Sequence, residues 1–156
     1  MTGMTRGRAV TQAGLAGLML VLQLAPIASV AADTCQRTDF EAVVDEAAAA
    51  LRDLNQQNRP VFQEKLRELK DKRGWSHEEF LTAAVPFVKD DKIEVYDQTS
   101  AELLDEIASL GQEGAEAATP DCARLEDLRT RMSKLVSIQN EKWTYMFDKL
   151  QKSLGQ

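Results

Sequence analysis

The chain is poor in the residue types that usually carry chemistry. In 156 residues it has one histidine, two cysteines and only 6% aromatics. A single histidine cannot build the usual zinc constellations. No nucleophile motif accompanies His77 that would make it part of a Ser-His-Asp site. Basic residues are also outnumbered, 19 Lys and Arg against 25 Asp and Glu. Nucleic-acid binding needs a basic face, so it is not expected. Long apolar runs are missing after the first thirty residues, and with them any expectation of stable membrane insertion. No cofactor or metal is expected, and an enzyme is not the favoured reading.

What is present begins with a leader. Arg6 and Arg8 precede an uncharged stretch from Ala9 to Ala32 that is densest between Leu15 and Leu22 and is broken by Pro26. Ala28 to Ala32 then offers small residues just before Asp33. A basic start, an apolar middle and a small-residue end form the secretory pattern, with cleavage after Ala32 and Ala31 the close second. The apolar middle is far shorter than the roughly 20 residues of a spanning helix. Residues 1–32 therefore read as a cleaved signal peptide, and 33–156 as one helical domain, periplasmic or secreted.

Cys35 and Cys122 both survive that cut. Two cysteines in an exported chain pair as a structural disulfide. Closing so long a loop removes on the order of 4.6 kcal/mol of unfolded-state entropy.

Residues 33–156 carry 25 acids and 17 bases, a net charge of −8. The charge is unevenly placed. Residues 89–121 alone sum to −8, whereas 123–156 sum to +3. Packing of a basic last helix beside the acidic segment accounts for this simply.

Helix signals run the length of the domain. Thr38-x-x-Glu41, Ser76-x-x-Glu79 and Thr99-x-x-Glu102 match the capping box, and Trp75 with Phe80 adds a hydrophobic staple. Pro60 and Pro120 suit first helical positions. The expected elements are a helix over 39–57 with Phe40, Val44, Ala47, Leu51 and Leu54 inward, and a second from Pro60 to Arg73 with Phe62, Leu66 and Leu69 inward. A third follows Ser76 with Phe80, Leu81, Ala84, Val85 and Val88 inward, kinked or ended at Pro86. Residues 89–98 read as an extended connector. A fourth helix over 100–110 buries Leu103, Leu104, Ile107 and Leu110, and 111–118 reads as a flexible loop. The last helix runs from Pro120, capped by Thr119, to Leu154. The alanine run 47–50 allows a neighbour to approach closely.

The expected fold is all-α, an up-and-down bundle of about five helices with one disulfide and a long C-terminal helix. In strict alternation the first and fifth helices point the same way, which brings Cys35 and Cys122 to one end.

Three sets of residues stand out functionally. The last helix, at ~1.5 Å per residue, spans about 50 Å and should outrun its neighbours. Its apolar residues Trp143, Tyr145, Met146, Phe147, Leu150 and Leu154 either pack as core against the preceding helices, the plainer reading, or form a face for another envelope protein or a second copy, as a homodimer. Asp90, Asp91, Glu94 and Asp97 form an acidic patch whose spacing does not match an EF-hand. His77 falls at the exposed first position of a helix. The favoured function is an exported, non-enzymatic binding or accessory protein. One alternative is a periplasmic holdase. A single disulfide joining helical segments, Thr34-Cys35 followed by Asp39-Phe40, and a Lys-rich helical end are loosely similar to the small acid-stress chaperones. The interval between the cysteines is much longer here and no segment matches specifically. A further alternative is a small enzyme using His77 or the acids from Asp90 to Asp97.

Overall fold

The computed structural model describes residues 35–156. The export segment expected over 1–32 lies outside them. Among the described residues the regular structure is entirely helical: α1 (Arg37–Arg73), α2 (His77–Ala83), α3 (Val85–Val88), α4 (Asp91–Glu116) and α5 (Cys122–Leu154). None of these helices is long and apolar enough to cross a membrane. The count differs from the five expected helices in kind: three long helices, one of two turns and a single turn.

Helix α1 corrects the expected break at Pro60. Proline removes one i→i−4 bond and leaves the carbonyl of Gln56 without its helical donor. Both residues are exposed, so water can take that carbonyl. Meanwhile Phe40, Ala47, Leu51, Leu54, Asn58, Phe62 and Leu69 continue in steps of three, four and seven on one face across the proline. Burial of Phe62 and Leu69 lies beyond it. The helix starts earlier than expected, at Arg37, where the Asp39 carboxylate accepts from the Gln36 N–H at 2.7 Å. It stops at Gly74, whose φ of 66° is left-handed. There Gly74 N–H donates to Asp71 O and Trp75 N–H to Lys70 O, a Schellman closure that favours glycine.

The turn that follows forms as read: Ser76 Oγ accepts from Glu79 N–H, and the Glu79 carboxylate accepts from Ser76 N–H. Helix α4 is the largest departure. It begins at Asp90, whose carboxylate accepts from Ile93 N–H at 2.8 Å, and not at Thr99. Thr99 lies inside the helix and its hydroxyl donates back to Val95 O. The stripe Ile93, Tyr96, Ser100, Leu103, Ile107, Leu110 and Gly114 keeps a strict three-four step. It runs straight through the expected connector and the expected loop. Leu103 faces inward and Leu104 is 51% exposed. Gly114 belongs to this stripe because α4 comes so close to α1 that a Cβ there would sit 2.7 Å from the Phe40 ring. Helix α5 begins two residues later than expected, with Asp121 capping the Ala123 N–H.

Both α1 and α4 pack on α5. Cys35 and Cys122 are joined, with Cα atoms 5.4 Å apart, at the start of α1 and of α5. At the far end Lys72 donates to Leu154 O and Arg73 to Ser153 O. These two helices therefore run parallel. Helix α4 runs against α5, as four ion pairs show: Glu113–Arg124, Glu106–Arg131, Asp97–Lys142 and Asp90–Lys149. With three long helices instead of five the parity is unchanged, so the first and last still share a direction.

The apolar interior is in two clusters. One holds Phe40, Ala47, Leu103, Ile107, Leu125, Leu128, Met132 and Leu135, near the disulfide. The other holds Phe62, Leu69, Phe87, Ile93, Met146, Leu150 and Leu154. Between them lies a polar waist. Gln139 donates to Ser100 Oγ at 2.7 Å, Ser100 donates to Tyr96 O, and Trp143 Nε1 donates to Asn55 Oδ1. Gln139, which falls on the same face of α5 as Leu128, Met132, Leu135 and Met146, thus meets the one buried polar residue of α4.

Two predictions separate the local cost of a breaker from its tertiary role. Gly111 has open space where a Cβ would go. Gly111→Ala should raise stability by up to about 1 kcal/mol, whereas Gly114→Ala should lower it by about 1–3 kcal/mol through the clash with Phe40. Urea denaturation of both variants is the check, and equal effects would contradict the packing. Pro60→Ala should stabilise by about 1–3 kcal/mol with no loss of helicity by circular dichroism.

Candidate partner-binding surfaces

The apolar residues at the end of α5 are placed by the unexpected length of α1. Met146, Leu150 and Leu154 are buried in the second apolar cluster with Phe62 and Leu69. Trp143, Tyr145 and Phe147 are half-buried at its edge. The Phe62 ring stands edge-on to Trp143 at 5.8 Å and to Phe147 at 5.4 Å. The premise that α5 outruns its neighbours is therefore corrected. Past Gln57 the same helix α1 continues beside α5 to its last carbonyl, and the seam has an internal partner.

The acidic residues divide into two roles. Asp91 and Glu94 are exposed in the first turn of α4, where carboxylates complement the helix dipole. Asp97 pairs with Lys142. Asp90 is a junction: it caps α4, pairs with Lys149, and accepts from the Tyr145 hydroxyl at 2.9 Å. Lys149 also donates to Pro86 O, which ties α3 to the same point. The Lys149 ammonium, the Ile93 N–H and the Tyr145 hydroxyl together hold the Asp90 carboxyl down at about 2. The bond to Asp90 raises the Tyr145 phenol above its ordinary value. Among the described residues no group of three or more His, Cys, Asp or Glu is arranged to hold a metal ion. His77 sits exposed at the first position of α2.

The cross-helix ion pairs form a ladder. Going down α4 from Glu113 to Glu106, and from Asp97 to Asp90, the partners on α5 advance by the same seven residues. Seven residues are two turns, so one face of α4 meets one face of α5 in a fixed antiparallel register. Each pair is partly exposed and contributes at most about 1 kcal/mol. Four of the ten acids in residues 89–121 are thus matched by bases of α5 in the same chain.

A surface that the sequence reading missed lies between α1 and α5. Two adjoining depressions, about 340 and 450 Å³, share Ala50, Ser133 and Val136 and form one open groove. Its floor is apolar: Val43, Ala47 and Ala50 from α1, Met132 and Val136 from α5. On the α1 rim stand Glu46 and Asp53, neither with an ion-pair partner among the described residues. On the α5 rim Arg129 is already beside Glu126 at 3.5 Å, followed by Ser133, Ser137 and Asn140. The signal was there as a second stripe, Val43, Ala47, Ala50 and Leu54, lying beside the core stripe of α1.

The second open surface is the α2–α3 corner. Leu81, Val85 and Val88, expected inward, are 58%, 47% and 46% exposed. Helix α2 buries no residue, and in α3 it is Phe87 that enters the core. Around Pro86 only one side of the turn can face α5, and the larger aromatic ring takes it. Val44 and Val95 are also exposed.

No protein-family model, curated protein or solved structure matches this chain.

The Asp90 junction makes one contribution to stability depend on pH. Its carboxyl is held below the ordinary carboxylate range, so its contribution is complete above about pH 4 and is lost as pH falls toward 2. Asp90→Asn, which keeps a capping side chain, should lose about 1 kcal/mol at pH 7. The gap from wild type should close between pH 4 and pH 2 in urea midpoints. A gap that persists unchanged at pH 2 would show that the ion pair is not its source.

Proposed function

We propose that this is an exported, non-enzymatic binding protein that takes a helix of its partner into the α1–α5 groove. The observation that carries the reading is the groove itself, an apolar floor between two parallel helices with polar rims. Export rests on the leader over 1–32, and the Cys35–Cys122 pair suits an oxidising compartment. Between Val43 and Gln57 the α1 wall is about 21 Å long, enough for a helix of four turns. Small floor residues such as Ala47 and Ala50 allow a close helix approach, the helix-in-groove mode of recognition. Glu46 and Asp53 select the partner's edge: Lys or Arg beside an otherwise apolar stripe.

The test uses the mature chain and two labelled model peptides, one an amphipathic helix with a Leu/Ala stripe and a Lys edge, the other with the edge changed to Glu. Fluorescence anisotropy should show saturable binding of the Lys-edged peptide. Glu46→Lys with Asp53→Lys should weaken it by at least about tenfold, a loss of about 1.4 kcal/mol. Ala50→Trp, at a half-buried site, should fill the groove and abolish binding while helicity is retained. Equal binding of both peptides, no binding of either, or indifference to Ala50→Trp would refute the groove.

A further inference from the structure

The α2–α3 corner supports an inference independent of the groove. Residues 77–88 stay right-handed helical through Ala84, whose φ and ψ are −77° and −22°. Leu81, Val85 and Val88 are therefore spaced i, i+4, i+7, and they form one exposed apolar row. Glu78 lies one turn before Leu81, and Lys89 one turn after Val85. Both are exposed, and neither has an ion-pair partner among the described residues. The row thus carries an acid at one end and a base at the other.

A surface with this polarity is complementary to its own inverted copy. We propose that the Leu81–Val85–Val88 row is the contact by which two copies of this chain associate, antiparallel, about a two-fold axis near Val85. In that arrangement the two Val85 side chains meet at the axis. Leu81 of each copy lies beside Val88 of the other, and Glu78 of each lies toward Lys89 of the other. A parallel arrangement would instead stack Glu78 on Glu78 and Lys89 on Lys89, so the charges select the antiparallel pairing. The row involves three apolar side chains, well below the roughly 800 Å² per partner of a standard interface. The dimer is accordingly weak and exchanges rapidly, and its population follows protein concentration.

Sedimentation equilibrium of the mature chain between about 10 μM and 1 mM is the test. Wild type should rise toward twice the monomer mass across that range. Val85→Glu, at an exposed site, should remain monomeric with an unchanged melting temperature. Glu78→Lys and Lys89→Glu should each weaken association severalfold, and the double exchange should restore it. A wild type that stays monomeric at the top of the range overturns the proposal. So does a dimer that ignores Val85→Glu, and so does one that Ala50→Trp abolishes, which would place the contact in the groove. Co-sedimentation of a monomer with phosphatidylglycerol vesicles would assign the row to a membrane surface and overturn it equally.

Discussion

The apolar seam of α5 has to be covered along its whole length, and most of the architecture follows from meeting that demand. Leu125, Leu128, Met132 and Leu135 at one end and Met146, Leu150 and Leu154 at the other are all buried. A 33-residue helix needs neighbours of similar length to do this. Helix α1 supplies one by running through Pro60, and α4 supplies another by running through Gly111 and Gly114. The magnitudes favour both. An interior proline costs about 3 kcal/mol and each glycine about 1. Against the proline, burying Phe62 and Leu69 returns about 1.5–3 kcal/mol apiece, before Met146, Leu150 and Leu154 are counted on the other side of the contact.

Charge has a different task. The ladder of ion pairs between α4 and α5 is too exposed to supply much of the stability, but a slip of one turn would place like charges together or leave them unpaired. The Gln139–Ser100 contact acts in the same sense. A buried amide has one register in which its donors are met, and an apolar core alone would tolerate several. Stability comes from the two apolar clusters, and alignment from the polar groups between and beside them.

This division of labour explains how much could be read from the amino-acid order. The all-helical class, the last helix almost to the residue, the Ser76 cap and the position of His77 were legible because each depends on local chemistry or on one long period. The disulfide partners were legible because there were only two candidates. Pro60, the 89–98 segment and the 111–118 segment were misread for a single reason. Each contains a local breaker or weak former whose penalty is real, and each is overridden by contacts with residues far away in the chain. The candidate surfaces were hidden in a related way. Ala47–Ala50 showed that a neighbour could come close, but one side of α1 could not be told from the other without the fold. At Val85-Pro86-Phe87-Val88 every residue is apolar, so periodicity could not say that Phe87 alone would turn inward.

The covalent link ties α1 to α5 at one end only, on the near side of the polar waist. The groove runs from the side of that link to the waist itself, along Val43 to Gln57 and Arg129 to Asn140. The α2–α3 corner lies at the opposite end, where no disulfide joins the helices and Lys72, Arg73 and Lys149 hold them through main-chain carbonyls. The two open surfaces therefore differ in what restrains them. A covalent bond beside the groove limits how far α1 and α5 can part there, and a surface so restrained has less to order on contact. The far corner has no disulfide, and the chain on either side of it, together with the Asp90–Lys149 junction, is what restrains it.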